Sequence, residues 1–361
     1  MSSHQCAEEE EEEEEEDVHA ILSTEERYWR DRQEFLEARG YMLRPRYKPD
    51  WTPSWIGKSE SVWFYAEDAQ PLPWRSNVMD ATRISDGSLV YLKRVKSDSE
   101  ELRILSYLWS DELRHDPRNH CVPLLDVIQD PSNPDTSYMV MPFLRYIDSP
   151  PFELVEDILE CLDQVLEGLV FIHDHNVAHR DCAFKNIMMD ASKLYPRGFH
   201  PIADMRLPDV SDYAPVLSRS TVPVKYYLID FGISTRFTSD EEPRLVTGKL
   251  GLDRQPPELS DDVPYDPFKL DVFLIGNLIR RELHAKYSNL TMLEPLMQRM
   301  VHPDPAQRPT AAEAYRQFKE IRRKVPTLYK YWYLQPRDSV LLARAARAAF
   351  SLVYALYRSI F

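Results

Sequence analysis

Apolar residues recur along the chain at two spacings, and the change from one to the other divides it. Val78 to Ile84 and Leu89 to Val95 are short runs rich in apolar and β-branched residues, separated by Asp86-Gly87. That dipeptide favours the tight turn of a hairpin, so both runs read as strands. Glu100 to Leu108 switches to helical spacing through Leu102, Leu105 and Leu108. Val122 to Ile128 and Tyr138 to Met141 return to strand character. From Leu154, the residues Ile158, Leu159, Leu162, Val165, Leu166 and Leu169 trace one face of a four-turn helix. Short strands at Ile187 to Met189 and Tyr226 to Ile229 follow, then helices at Leu270 to Leu283 and Ala311 to Val325. A small strand-rich half thus precedes a larger helical half, an α+β pattern without internal repeats.

The flanks differ in character. Thr24 to Gly40 predicts one helix with Tyr28, Trp29, Phe35 and Leu36 on its apolar side. Tyr41 to Trp55 is rich in proline and aromatics and reads as an extended strap packed on its neighbour, with a polyproline-binding surface as the alternative. Val340 to Phe361 predicts a terminal helix of alanine, leucine and aromatics carrying Arg344, Arg347 and Arg358. It would dock on the body or on a partner. The other reading is contact with an anionic membrane surface.

Charge narrows the function classes. The 361 residues carry a net charge of −15, of which Glu8 to Glu16 and Asp17 supply ten negatives, leaving −5 for the rest. Residues 1–20 are expected to form a disordered acidic tail. A body without basic excess argues against nucleic acid as a partner. Cys6, Cys121, Cys161 and Cys182 lie far apart and suggest neither a disulfide framework nor a zinc site. The longest apolar run, Ala348 to Tyr357, is too short to span a bilayer. The expectation is a soluble protein, cytoplasmic or nuclear.

The chemistry concentrates in Val177-Ala178-His179-Arg180-Asp181-Cys182-Ala183-Phe184-Lys185-Asn186, followed downstream by Asp230-Phe231-Gly232. One aspartate, Asp230, directly after an apolar strand, and one asparagine, Asn186, offer hard oxygen ligands of the kind that suits magnesium. These motifs resemble the H-R-D-x-x-x-x-N loop and D-F-G site of the eukaryotic protein kinase-like superfamily. Pro256-Pro257-Glu258 is similar to its A-P-E, and Asp304 to Thr310 to its D-P-x-x-R-P-T, pairing Arg308 with Glu258. Asp271 resembles the aspartate that anchors the loop backbone. The strap Gly40 to Tyr47 with Trp51 and Trp55 further resembles an expanded fungal group of such proteins.

The resemblance implies a bilobal fold with a small β-rich N-lobe and a larger α-helical C-lobe, binding ATP and Mg2+. It divides the chain into the acidic tail 1–20, a helix and strap 21–75, an N-lobe 76–145, a C-lobe 146–324 with an insertion 190–223, and a helical tail 325–361. Asp181 would handle the substrate hydroxyl's proton, Lys185 would place a cation at the transferring group, and Asn186 and Asp230 would hold the metal. Val90-Tyr91-Leu92-Lys93 makes Lys93 the phosphate-pairing lysine, with Lys96 as the substitute; Glu101 is its partner, with Glu100 as the fallback. Met141, Phe143 and Leu144 would line the adenine side. Arg180 would read a phosphate on Thr238, Ser239 or Thr247.

Three departures stand out. No glycine occurs between Gly57 and Gly87, so no glycine-rich loop covers the phosphates near Trp74 to Ile84. Tyr91 replaces a small residue on the face of Lys93. The insertion from Asp190 to Pro223 holds Tyr195, His200 and Tyr213 and reads as a surface loop or docking element. Glu101 stands eight positions after Lys93, so the connection must be short. The expected activity is transfer of the ATP γ-phosphate to a protein hydroxyl, serine or threonine by default. The alternative is a pseudokinase scaffold with a degraded nucleotide site.

Overall fold

The computed structural model describes residues 19–57, 65–71, 77–238 and 243–360. The whole acidic run Glu8 to Asp17, Trp74 and Ser239 lie outside the described residues. The chain divides into two compact units, Met1–Ser88 with Phe199–Tyr213, and Leu89–Gly198 with Ala214–Phe361.

In the first unit the expected single helix is two. Helix α1 (Thr24–Arg30) opens on a Ser23/Glu26 capping box, and α2 (Gln33–Ala38) follows after a break at Asp31-Arg32. The break lets Trp29 and Leu36 both reach the core, while the Arg32 guanidinium folds back over the Tyr28 ring. The strap is more than packing. Its strand β1 (Tyr41–Met42) pairs antiparallel with β2 (Val78–Arg83), placing Tyr41 opposite Arg83. A buried charge network fixes the strap: Arg44 Nε donates to Asp80 at 2.8 Å, and Arg46 Nε to Glu26 at 2.7 Å. The Trp51 indole donates to Asp68 at 2.9 Å, so this ring is held internally.

Part of the insertion belongs to this core. Phe199, His200, Leu207 and Val210 are buried. His200 Nδ1 accepts the Ile202 and Ala203 amides, which leaves its Nε2–H for Glu67 Oε1 at 3.2 Å. The segment, expected as a surface loop or docking element, thus buries these four side chains while Met205 and Tyr213 stay exposed.

The second unit starts with strand β3 (Leu89–Lys96) and helix α3 (Glu100–Leu108), whose N-terminus is capped by Ser99. Strands β4 (Asp126–Gln129) and β5 (Thr136–Pro142) complete an antiparallel β3-β5-β4 sheet. β4 begins later than its apolar pattern predicts. The Val122 amide instead donates to the Leu228 carbonyl at 2.9 Å, and Cys121 bridges the same residue in parallel.

After β6 (Arg145–Tyr146), helix α4 (Val155–Asp174) runs for 20 residues on the predicted apolar face. Short strands β7 (Val177–Ala178), β8 (Ile187–Asp190), β9 (Lys225–Leu228), β10 (Thr235–Arg236), β11 (Val246–Gly248) and β12 (Ser260–Tyr265) carry the intervening loops. Helix α5 (Pro267–Leu278) widens into a π turn over Ile279–His284, where one continuous helix was expected. Helices α6 (Glu294–Met300), α7 (Ala311–Lys324), α8 (Thr327–Lys330) and α9 (Leu341–Ile360) close the unit.

Arg308, fully buried, forms a two-pronged pair with Glu258 at 2.5 and 2.8 Å, and its Nε donates to the His302 carbonyl. Breaking such a pair leaves a charge without solvation. Glu258→Ala is expected to lower the unfolding free energy by about 3–5 kcal/mol in urea titrations. A loss below about 1 kcal/mol would place the pair with exposed ones.

Candidate active site

Strand alternation puts Tyr91 and Lys93 on one face of β3, with buried Leu92 on the other. Lys93 Nζ donates to Glu101 Oε1 at 2.6 Å and to Asp230 Oδ1 at 2.9 Å. The first turn of α3 thus supplies Glu101, which is buried. The fallback Glu100 is exposed and pairs with Arg103, and Lys96 lies exposed at the end of β3. The short connection suffices because Ser99 starts α3 directly after the strand. Burial on its own would favour the neutral amine at Lys93, but Glu101 and Asp230 outweigh it and raise its pKa. Burial pushes the Glu101 carboxyl up, against the pull of Lys93.

The loop from His179 to Asn186 is held from beneath by α5. Asp271, wholly buried, accepts the His179 amide at 2.8 Å and the Arg180 amide at 2.6 Å, and lies 3.0 Å from His173 Nε2. His179 donates from Nε2 to the Ile229 carbonyl at 3.0 Å and packs against the buried Phe231 ring. The Ile229 amide in turn donates to the Asn186 carbonyl at 3.0 Å. The two candidate metal-ligand positions, Asn186 and Asp230, are therefore tied together by backbone. Both loops contain a non-glycine residue in the left-handed region, Arg180 at φ 67° and Asp230 at φ 63°. Such strain persists where the surroundings over-determine it, which is common at functional sites.

Asp181 and Asn186 face each other, with Asn186 Nδ2 donating to Asp181 Oδ2 at 2.8 Å. The other amide atom, Asn186 Oδ1, is buried and accepts nothing, an orphan acceptor suited to a cation. Asp181 Oδ1 accepts the Leu252 amide at 2.8 Å. Gly251 permits this approach: its φ is +129°, and a Cβ there would lie 3.2 Å from that same oxygen. Leu252 was missed from sequence because its role is carried by a main-chain amide. The only signal was Gly248 and Gly251 so close together in a chain with nine glycines.

The remaining predicted residues fall around this centre. Lys185 is exposed, next to Asn186 in a short 3-10 turn. Met141 lies opposite Tyr91 in the β3–β5 register, and Leu144 is buried just beyond β5. The Tyr91 ring stacks on Phe143 at 4.7 Å and 12°. Arg180 is engaged by the downstream segment: Nη2 donates to the Thr247 carbonyl at 2.7 Å, and Nη1 to the Ile233 carbonyl and Thr235 hydroxyl. The hydroxyls of Thr238 and Thr247 are carried on exposed residues. Among the described residues no three His, Cys, Asp or Glu side chains form a metal cluster. Asn186 Oδ1 and the Asp230 carboxylate are oxygen donors of the kind magnesium takes alongside water and phosphate oxygens. A scan of the chain against protein-family models finds no match.

Burial pushes the Asp181 carboxyl above its ordinary 3.8, against the Leu252 amide, His179 and Asn186. The folded state then binds this proton more tightly than the unfolded chain. Its stabilising contribution is present below pH 3.8 and is lost as pH rises through the raised value, so ionised Asp181 costs stability. Asp181→Asn removes this pH-dependent cost along with one of two acceptors, so the melting temperature of the variant relative to wild type is expected to be higher at pH 7 than at pH 3 by calorimetry. A difference that is the same at both pH values would mean that the carboxyl titrates alike in the folded and unfolded chain.

Proposed function

We propose that the chain is a protein kinase-like phosphotransferase with a bilobal fold, using ATP and Mg2+ on a protein hydroxyl. The observation that carries this reading is the salt bridge from Lys93 to Asp230, 137 residues away, together with the Glu101 bridge and the Asp181–Asn186 pair in the same unit. The antiparallel β3-β5-β4 sheet and α3, followed by a helical remainder, support the lobed arrangement.

Magnesium-bound ATP would supply the transferable phosphoryl group and the positive charge that offsets its oxygens. Asn186 Oδ1 and the Asp230 carboxylate would hold the metal. Lys93 would exchange part of its carboxylate pairing for phosphate oxygens, and Glu101 would keep its ammonium in place. Met141, Phe143 and Leu144 would line the base. Asp181 would orient the hydroxyl and take its proton, with Lys185 offering a cation beside the transferring group. For Asp181 to do this, the hydroxyl must share an oxygen with Asn186 or with the Leu252 amide, or displace one of them.

That contact is also what favours the second reading, a pseudokinase scaffold. With Oδ1 taken by Leu252 and Oδ2 by Asn186, the carboxylate is engaged on both oxygens. The absence of a glycine-rich loop points the same way.

Magnesium-dependent transfer of labelled phosphate, to the chain itself or to a general protein substrate, separates the two. Asp181→Asn and Asp230→Asn are each expected to abolish transfer. Residual activity within tenfold of wild type, about 1.4 kcal/mol in barrier, would be too small a loss for either role. Calorimetry of ATP binding supplies a second measure. Lys93→Met should weaken binding, whereas Tyr91→Ala should tighten it by removing the phenol stacked on Phe143. No magnesium-dependent ATP binding by the wild type would favour the scaffold.

A further inference from the structure

We propose that helix α9 is an interfacial element that seats the protein on an anionic lipid bilayer. A helix on a soluble surface buries its large apolar residues and exposes polar ones. The described residues of α9 do the reverse. Their attached side is carried by Ser351 and Ala355, both fully buried, and by Tyr354; the Ser351 hydroxyl accepts the Tyr333 amide at 3.0 Å. The Tyr354 hydroxyl shares a hydrogen bond with Ser220 at 2.9 Å, and its ring lies against Tyr333. Among the described residues of the helix, large apolar side chains turn away, with Leu342 81% exposed, Phe350 69% and Val353 67%.

These residues form one surface. Leu342, Ala346, Ala349, Phe350 and Val353 follow the i, i+4, i+7, i+8, i+11 spacing of a single helix face, and all are exposed. An apolar stripe of this kind marks an interaction site on an otherwise soluble body. No described helix is long and apolar enough to cross a membrane. The matching geometry is a helix lying in the interface plane.

Charge decides what covers the face. Residues 340–361 contain no aspartate or glutamate and carry Arg344, Arg347 and Arg358, within a chain of net charge −15. Arg347 is exposed and lines a shallow recess of about 490 Å3 with Phe350, Val353, Tyr333 and Tyr354. A guanidinium beside apolar side chains is placed to meet a headgroup while its neighbours enter the acyl layer. A second copy of α9 would bring more arginine and no carboxylate. Anionic headgroups provide the missing charge.

The test uses the full chain with vesicles of phosphatidylcholine alone and of phosphatidylcholine mixed with phosphatidylserine. Flotation is expected with the mixed vesicles, at least tenfold stronger than with neutral ones and weakened by salt. Leu342→Glu with Val353→Glu alters exposed side chains, so the melting temperature should hold while vesicle binding drops at least tenfold, about 1.4 kcal/mol. Should that double variant melt early, Phe350→Ser carries the same comparison. Arg347→Gln should reduce binding to the phosphatidylserine vesicles only. Absence of flotation, or flotation unchanged by the face variants, overturns the proposal. So does a dimer by light scattering that the same variants dissociate, which would assign the face to a second copy.

Discussion

A carboxylate removed from water must be surrounded by donors, or its charge costs more than the fold can bear. Asp271 is such a group, wholly buried, and its donors are the amides of His179 and Arg180 with His173 alongside. Satisfying it dictates the path of the loop that carries Asp181 and Asn186. The loop cannot shift without stranding this charge, so the side chains at its tip inherit a fixed position. His179 then extends the constraint to Ile229, and through Ile229 to the strand end that presents Asp230. One anchored anion in α5 therefore sets the relative placement of three oxygen-bearing side chains on two loops.

Around that frame, each site group has a stand-in partner. Lys93 is shared between Glu101 and Asp230, and Asp181 between Asn186 and the Leu252 amide. Such contacts hold the side chains in position at the cost of occupying the atoms that chemistry would use. Asn186 Oδ1 is the exception, buried and without a partner. The left-handed backbone at Arg180 and Asp230 adds strain that is tolerable only because Asp271 and the Ile229–Asn186 link hold both loops. The segment bearing Gly248 and Gly251 lies across Arg180 and Asp181, so its position governs access to Asp181.

The first unit illustrates a different economy of charge. Arg44 and Arg46 are buried, each paired with a carboxylate and further bonded to backbone carbonyls, and together they hold the strap to its neighbours. A strap poor in regular structure lacks ladder hydrogen bonds, and guanidinium groups with several donors supply them instead. His200 does the same for the inserted segment by bonding Glu67 and its own loop amides.

Much of this was legible from residue order. The spacing of Asp181, Asn186 and Asp230, the pairing of Lys93 with Glu101 and of Arg308 with Glu258, and the apolar face of α4 are all where the chain predicts them. Interval alone carries the apolar face of α4, because a helix turns side chains through fixed angles whatever surrounds it; the two ion pairs were expected from the resemblance to protein kinase-like motifs. Other features depend on neighbours distant in sequence. Pairing of Tyr41 with Arg83, burial of Phe199, His200, Leu207 and Val210 in the first unit and the delayed start of β4 each follow from a partner that no local period records. The Leu252 amide over Asp181 has no side-chain signature at all, since every residue but proline carries the same donor. For α9 the helix was readable, but which face it turns outward was not. Periodicity marks an apolar side; only packing decides whether that side is covered.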